Sequence, residues 1–172
     1  MQDLQKQLLS GYNIEVRSYE NNTVKDIPQF LKEIDGITSL VDGSIIQLLD
    51  CDYICGKRHL NQGISHAVKA FNENQNFAKD RGLEICVRTS AQKQISQALR
   101  ILGIKNVGNV TVVYVNASGE QIEKVEELLS ARNDALLEEY DVEKICGAYG
   151  VESSDNVVDV INEKIALLAL KN

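Results

Sequence analysis

The run Asn109-Val-Thr-Val-Val-Tyr-Val115 packs four valines and a tyrosine into a short segment and ends at the turn residues Asn116-Ala-Ser-Gly. β-Branched and aromatic side chains are stiff at χ1 and suit a pleated, half-buried surface, so this run reads as a strand. Residues 12–20 alternate, with Ile14, Val16 and Ser18 on one side of a second strand. Ser44–Leu49 reads as a buried strand, and Leu83–Val87 as a further strand-like segment.

Helical patterns lie between these runs. Asp26 has the place of an N-cap with Pro28 in the first turn, giving a short helix to Asp35 before Gly36. From Lys57 to Asn74 the positions Leu60, Ile64, Ala67, Val68 and Phe71 follow helical spacing. Ser90 is the expected cap of a helix carrying Ala91, Ile95, Ala98, Leu99 and Leu102, with Gly103 as its stop. A helix over 120–130 buries Ile122, Val125 and Leu129 and exposes Glu120, Glu123, Glu126 and Glu127. A short helix begins near Asp141 and loosens at Gly147 and Gly150, and Asp155 is the expected cap of the last helix. Strands alternating with helices predict an α/β fold: a single layered domain over residues 1–172, with a mixed β-sheet of about four to five strands packed with helices. One proline, no Pro- or Ser-rich linker and no internal repeat leave no domain boundary to place.

Charge is distributed unevenly. The chain carries a formal charge of −7, yet Lys57–Lys105 holds nine Lys/Arg residues against Glu73, Asp80 and Glu84, a local excess of +6, and contains both histidines, His59 and His66. Exposed ion pairs contribute about 0–1 kcal/mol each, so segregation of this kind does little for stability. It prepares a surface for a partner of opposite sign. No apolar run approaches the roughly 20 residues of a bilayer span, and the N-terminus lacks a signal-peptide profile. A cytoplasmic protein without membrane contact is expected. Cys51, Cys55, Cys86 and Cys146 lack zinc-knuckle spacing and sit among apolar neighbours, which predicts buried thiols.

Two stretches in the basic segment suit phosphate. Lys57, Arg58 and His59 lie at the first turn of the long helix, where free N–H groups and the dipole favour an anion. Arg88, Lys93 and Gln94, with Thr89, Ser90 and Gln92, gather a guanidinium, an ammonium, hydroxyls and amides at a second helix start. The bland alternatives are a solvated basic turn and an ordinary cap. His59 precedes the apolar Leu60 and has no second close ligand for a metal, so no cofactor is expected. Walker A, G-x-G-x-x-G, H-E-x-x-H and G-x-S-x-G patterns are absent. The chain reads as a binder, not an enzyme.

The last helix points to a protein partner. Val157, Ile161, Ile165 and Leu168 are spaced to face a core, but Ile165-Ala-Leu-Leu-Ala-Leu170 is apolar around its whole circumference. Ile161, Ile165, Leu167, Leu168 and Leu170 are therefore the candidate partner interface, some of them doubling as core.

With these residues in view, the chain resembles the small kinase-binding subunit of the KEOPS (EKC) complex, the family that includes the PRPK-binding protein. The resemblance rests on Ile54–Ala67 (ICGKRHLNQGISHA) and Arg88–Ile104 (RTSAQKQISQALRILGI), with the strand Asn109–Val115 following at a matching distance. Gly63 stands where the family often has alanine, a departure expected only to soften the helix. The resemblance implies a non-catalytic subunit that docks on and stimulates the complex's small atypical kinase/ATPase. It also implies binding of the tRNA acceptor 3′ end in support of threonylcarbamoyl-adenosine modification. The alternative is an interaction module without RNA binding, its basic segment pairing with an acidic partner. A third class, a small enzyme, would need titratable groups converging in a cleft.

Overall fold

A computed structural model describes Gln5, residues 9–152 and residues 156–171. Its sheet, among the described residues, has three strands: β1 (Ile14–Thr23), β2 (Ile45–Asp50) and β3 (Val107–Val115). The order is β1-β3-β2 and both pairings are antiparallel. The fold is α/β as expected, but the sheet is smaller than expected and antiparallel rather than mixed. The predicted strand at 83–87 is helix instead.

β3 is central and buried on both faces, which explains its nearly continuous apolar composition. Val113 and Val115 face one core, with α2 (Gly56–Asn72), α3 (Arg81–Thr89), α4 (Ile95–Leu102), α6 (Val142–Tyr149) and α7 (Val157–Leu168) supplying most of the other side chains and Leu49 of β2 joining them. Val110, Val112 and Tyr114 face a second core closed by α1 (Ile27–Thr38) and α5 (Gly119–Leu128). Successive residues alternate between the two cores with the period of two that a pleated strand imposes. On the α1/α5 side a polar chain crosses the second core. Tyr19 donates to Glu126 Oε2 at 2.8 Å, and its hydroxyl lies 2.9 Å from that of Tyr114. Tyr19 has one proton and gives it to the carboxylate, so Tyr114 is the donor in their mutual bond.

Several helix starts match their sequence signals. Asp26 accepts from Gln29 N–H, Asp141 from Glu143 and Lys144 N–H, and Ser118 forms a reciprocal capping box with Gln121. α1 continues through Gly36 to Thr38, three residues beyond the expected stop. Asp155, the expected cap of α7, lies outside the described residues. Ser90 closes α3 rather than opening α4; its Oγ donates to Val87 O, and α4 starts after Gln94. α3 is buried nearly all round, including Gly82, Glu84, Arg88 and Thr89. Its Leu83, Cys86 and Val87 stand at helical spacing opposite Arg81, Glu84 and Arg88, but Leu83–Val87 taken alone is too short a run to separate a buried helix from a buried strand.

Gly63 does more than soften α2. A methyl group there would overlap Thr89 Oγ1 and come within 2.8 Å of the Thr89 Cα, so α2 and α3 touch because residue 63 has no side chain. Gly63→Ala gains about 1 kcal/mol of helix propensity. Overpacking against a backbone costs about 1–3 kcal/mol and wins. The variant is expected to have a lower urea midpoint; a midpoint equal to or above that of the parent would refute the contact.

Candidate partner and nucleic-acid surfaces

The start of α2 already holds an anion, and it comes from the same chain. Gly56 takes φ +82°, and a Cβ there would lie 2.8 Å from a carboxylate oxygen of Glu138. Through that gap Glu138 Oε1 accepts from Lys57 N–H at 2.6 Å. Glu138 ends a 3₁₀ turn (Asp134–Glu138) far along the chain, and nothing local in the sequence announces the contact. The Lys57 and Arg58 side chains are exposed as expected. Arg58 pairs at 2.7 Å with Asp159 of α7, itself well exposed.

His59 is not on that surface. It is completely buried, with Nδ1 accepting from Cys55 N–H at 2.8 Å and Nε2 lying 2.8 Å from Thr89 O. Since Nδ1 accepts, the proton sits on Nε2 and is donated to the Thr89 carbonyl. The Tyr149 ring stands edge-on at 5.4 Å, and its hydroxyl donates to Tyr53 O. His59 is thus a neutral strut joining the first turn of α2 to the last turn of α3, and its assignment to an RNA surface is corrected.

Arg88 is corrected for a similar reason. It is 2% exposed and donates from Nε to Glu84 Oε2 at 2.7 Å and from Nη2 to Gln75 O at 2.8 Å, while its guanidinium lies 4.0 Å over the Phe77 ring. Glu84 Oε1 accepts from Phe77 and Ala78 N–H. Together the pair fixes the loop between α2 and α3, and breaking such a buried pair costs about 3–5 kcal/mol. Beyond it, Lys93 and Gln94 are exposed, with the Lys93 ammonium 5.9 Å from the Phe77 ring. Of the residues expected to contact RNA, Lys57, Arg58, Lys93 and Gln94 reach the surface, while His59 and Arg88 hold helices together.

The candidate protein interface divides likewise. Ile161, Ile165 and Leu168 are core, while Leu167 is 42% and Leu170 79% exposed. A cleft of about 760 Å³ between β1, α2 and α7 is lined by Leu9, Tyr12, Ile14 and Val16 on its apolar side and by Lys57, Arg58 and Asn162 among its polar residues; of these the sequence nominated Lys57 and Arg58 alone as site residues. The alternation of β1 was the available signal, because it put Ile14 and Val16 on one face.

The thiols behave as predicted: all four cysteines are buried and free. Burial raises Cys51 and Cys55 and pushes Cys86 up to about 12, which leaves these three protonated and unreactive at neutral pH. Among the described residues no group of three His, Cys, Asp or Glu side chains is placed to hold a metal ion, and no helix is long and apolar enough to cross a membrane.

Burial lowers the His59 pKa to about 4 from 6.5. Its contribution to stability is complete above pH 6.5. As pH falls from 6.5 towards 4 the unfolded chain takes up a proton that the folded chain refuses, so stability falls by up to about 1.4 kcal/mol per pH unit. In urea titrations His59→Asn should show a shallower loss over this window than the parent. Identical slopes would refute the buried neutral imidazole.

Known proteins are similar to this chain along most of its length. The model of the family described as kinase binding protein CGI-121 matches residues 3–169. A curated relative, the regulatory protein Cgi121 of Methanocaldococcus jannaschii, is 33% identical over 132 residues, covering 75% of this chain and 86% of the relative. With a match spanning nearly every element of the layered fold, the chain belongs to the CGI-121 family of kinase binding proteins.

Proposed function

We propose that the chain is the non-catalytic subunit of a KEOPS-type complex that docks on and stimulates the small atypical kinase/ATPase. We further propose that it binds the tRNA acceptor 3′ end in support of threonylcarbamoyl-adenosine modification. The observation that carries the kinase part is the division of α7. Ile161, Ile165 and Leu168 seat the helix, so Leu167 and Leu170 contribute little to the core and are available to a partner. Leu167→Glu with Leu170→Glu is expected to weaken kinase affinity at least about tenfold at an unchanged thermal midpoint, as truncation of a central apolar anchor does. Ile165→Ala, by contrast, removes core and should cost about 2–5 kcal/mol of stability. Unaltered kinase affinity in the double glutamate variant would sink the assignment.

The RNA part is supported by the excess of base in Lys57–Lys105 and by the exposure of Lys57, Arg58, Lys93 and Gln94. Single-stranded ends are held by phosphate contacts together with stacking or base-edge bonds. Arg58→Gln with Lys93→Gln should weaken tRNA binding and flatten its salt dependence by about one unit for each phosphate that the variant no longer neutralises. Equal affinity and an equal slope would refute these residues. Arg88 cannot serve in such a test, because its replacement reads out as reduced stability.

One observation favours the alternative of an acidic protein partner without RNA: the group seated on Lys57 N–H is a carboxylate. Gel shift with tRNA lacking its 3′ terminal nucleotides separates the two. The RNA reading expects a specific loss, and the acidic-partner reading expects none.

A further inference from the structure

β1 is an edge strand that the described residues cover over only half its length. Toward the C-terminal end Asn133 N–H donates to Ser18 O, Glu20 N–H donates to Ala131 O, and Ser18 N–H donates to Asp134 Oδ1, at 2.8–2.9 Å. Tyr19 also bridges Arg132. The covered main-chain groups belong to even-numbered residues and point away from β3. The register with β3 has no shift from Ile14 to Tyr19, and Asn13, of opposite parity, gives its carbonyl to Asn116 N–H. Alternation therefore aims the N–H and C=O of both Ile14 and Val16 off the same open edge. Among the described residues neither has a partner on that side.

The side chains of these two residues floor the cleft of about 760 Å³ together with Leu9 and Tyr12. Asn162 lines it and carries a buried side-chain oxygen without a partner among the described residues. Lys57 supplies an exposed cation there. An unpaired edge, an apolar floor in phase with it and a cation beside both are the components of strand addition, in which main-chain bonds give affinity and side-chain pockets give selectivity.

We propose that β1 accepts an added strand. Its occupant is an extended segment of a partner protein, with apolar residues at alternate positions and a carboxylate beside Lys57. The segment continues the line that residues 131–134 begin. A peptide matches the open groups because it repeats a donor and an acceptor every second residue, about 6.6–6.8 Å apart. Nucleic-acid phosphates offer acceptors only and leave the Ile14 and Val16 carbonyls unanswered.

The test uses the full chain and a capped synthetic octapeptide alternating valine with threonine and carrying one glutamate, followed by amide NMR and hydrogen exchange. Saturable binding with about tenfold or greater slowing of exchange at Ile14 and Val16 is expected. N-methylation along one peptide edge should weaken binding at least about tenfold, while methylation along the other should not. Val16→Pro deletes an outward N–H without touching the β1–β3 ladder, as edge prolines do, and should abolish binding with the remaining amide spectrum intact. Should that variant unfold, the methylated peptides on the parent chain decide. Lys57→Glu should weaken the glutamate peptide and spare one carrying glutamine. Absence of protection at Ile14 and Val16, or indifference to N-methylation on both edges, overturns the proposal. So does a single-stranded oligonucleotide that shifts these amides when the peptide does not, which would assign the cleft to RNA.

Discussion

Thr89 sits where a side chain on residue 63 would have to be, and much of the molecule's arrangement follows from that contact. With Gly63 against Thr89, α2 and α3 approach closely enough for His59 to reach the Thr89 carbonyl and for Tyr149 to close over the imidazole. Thr89 Oγ1 remains buried without a partner among the described residues, a penalty that the packing around it must offset. Because α3 is pressed between α2 and the sheet, its own polar groups have to be satisfied inside. Glu84 and Arg88 do so by binding the loop that precedes them.

This inward turn changes the meaning of the charge map. A local excess of +6 suggests one basic face, but acids from elsewhere in the chain answer part of it. Asp159 pairs with Arg58, Asp50 with Lys105 at 3.0 Å, and Glu138 occupies the Lys57 N–H in the first turn of α2. What remains for a partner is narrower than the count of basic residues implies. Among the described residues Lys57, Lys79, Arg81 and Arg100 are exposed and make no ion pair, whereas Arg58 meets a partner only by giving up Asp159.

The parts legible in sequence were those with a local physical signature. β3 was legible because β-branched crowding admits few other conformations, and α2 because one side meets water and the other does not. The caps at Asp26 and Asp141 need only their own neighbours. α3 was misread because Leu83–Val87 alone is too short a run to tell a helix from a strand, and a guanidinium or an imidazole looks the same in sequence whether it faces solvent or a carbonyl. Arg88 and His59 were misread for that reason. The end of α7 was half legible: the spacing of Val157, Ile161, Ile165 and Leu168 marks the seated face, and the apolar remainder is what the core does not use. The Glu138 contact and the open half of β1 belong to long-range pairing, which no local pattern encodes.

α7 joins these surfaces mechanically. It walls the cleft beside β1 through Asn162, whose main-chain carbonyl accepts from Gln62 Nε2, and it meets the start of α2 through Asp159. The same helix leads into Leu167 and Leu170. The exposed Arg58–Asp159 pair is worth about 0–1 kcal/mol, whereas full burial of Ile161 or Ile165 is worth about 1.5–3 kcal/mol each. The helix is therefore held by its core side chains and not by its rim. Charge changes at Lys57, Arg58 or Asp159 leave it seated. Differences they produce in binding then report on the partner and not on the fold, while substitutions at Ile161 or Ile165 disturb every surface the helix helps to build.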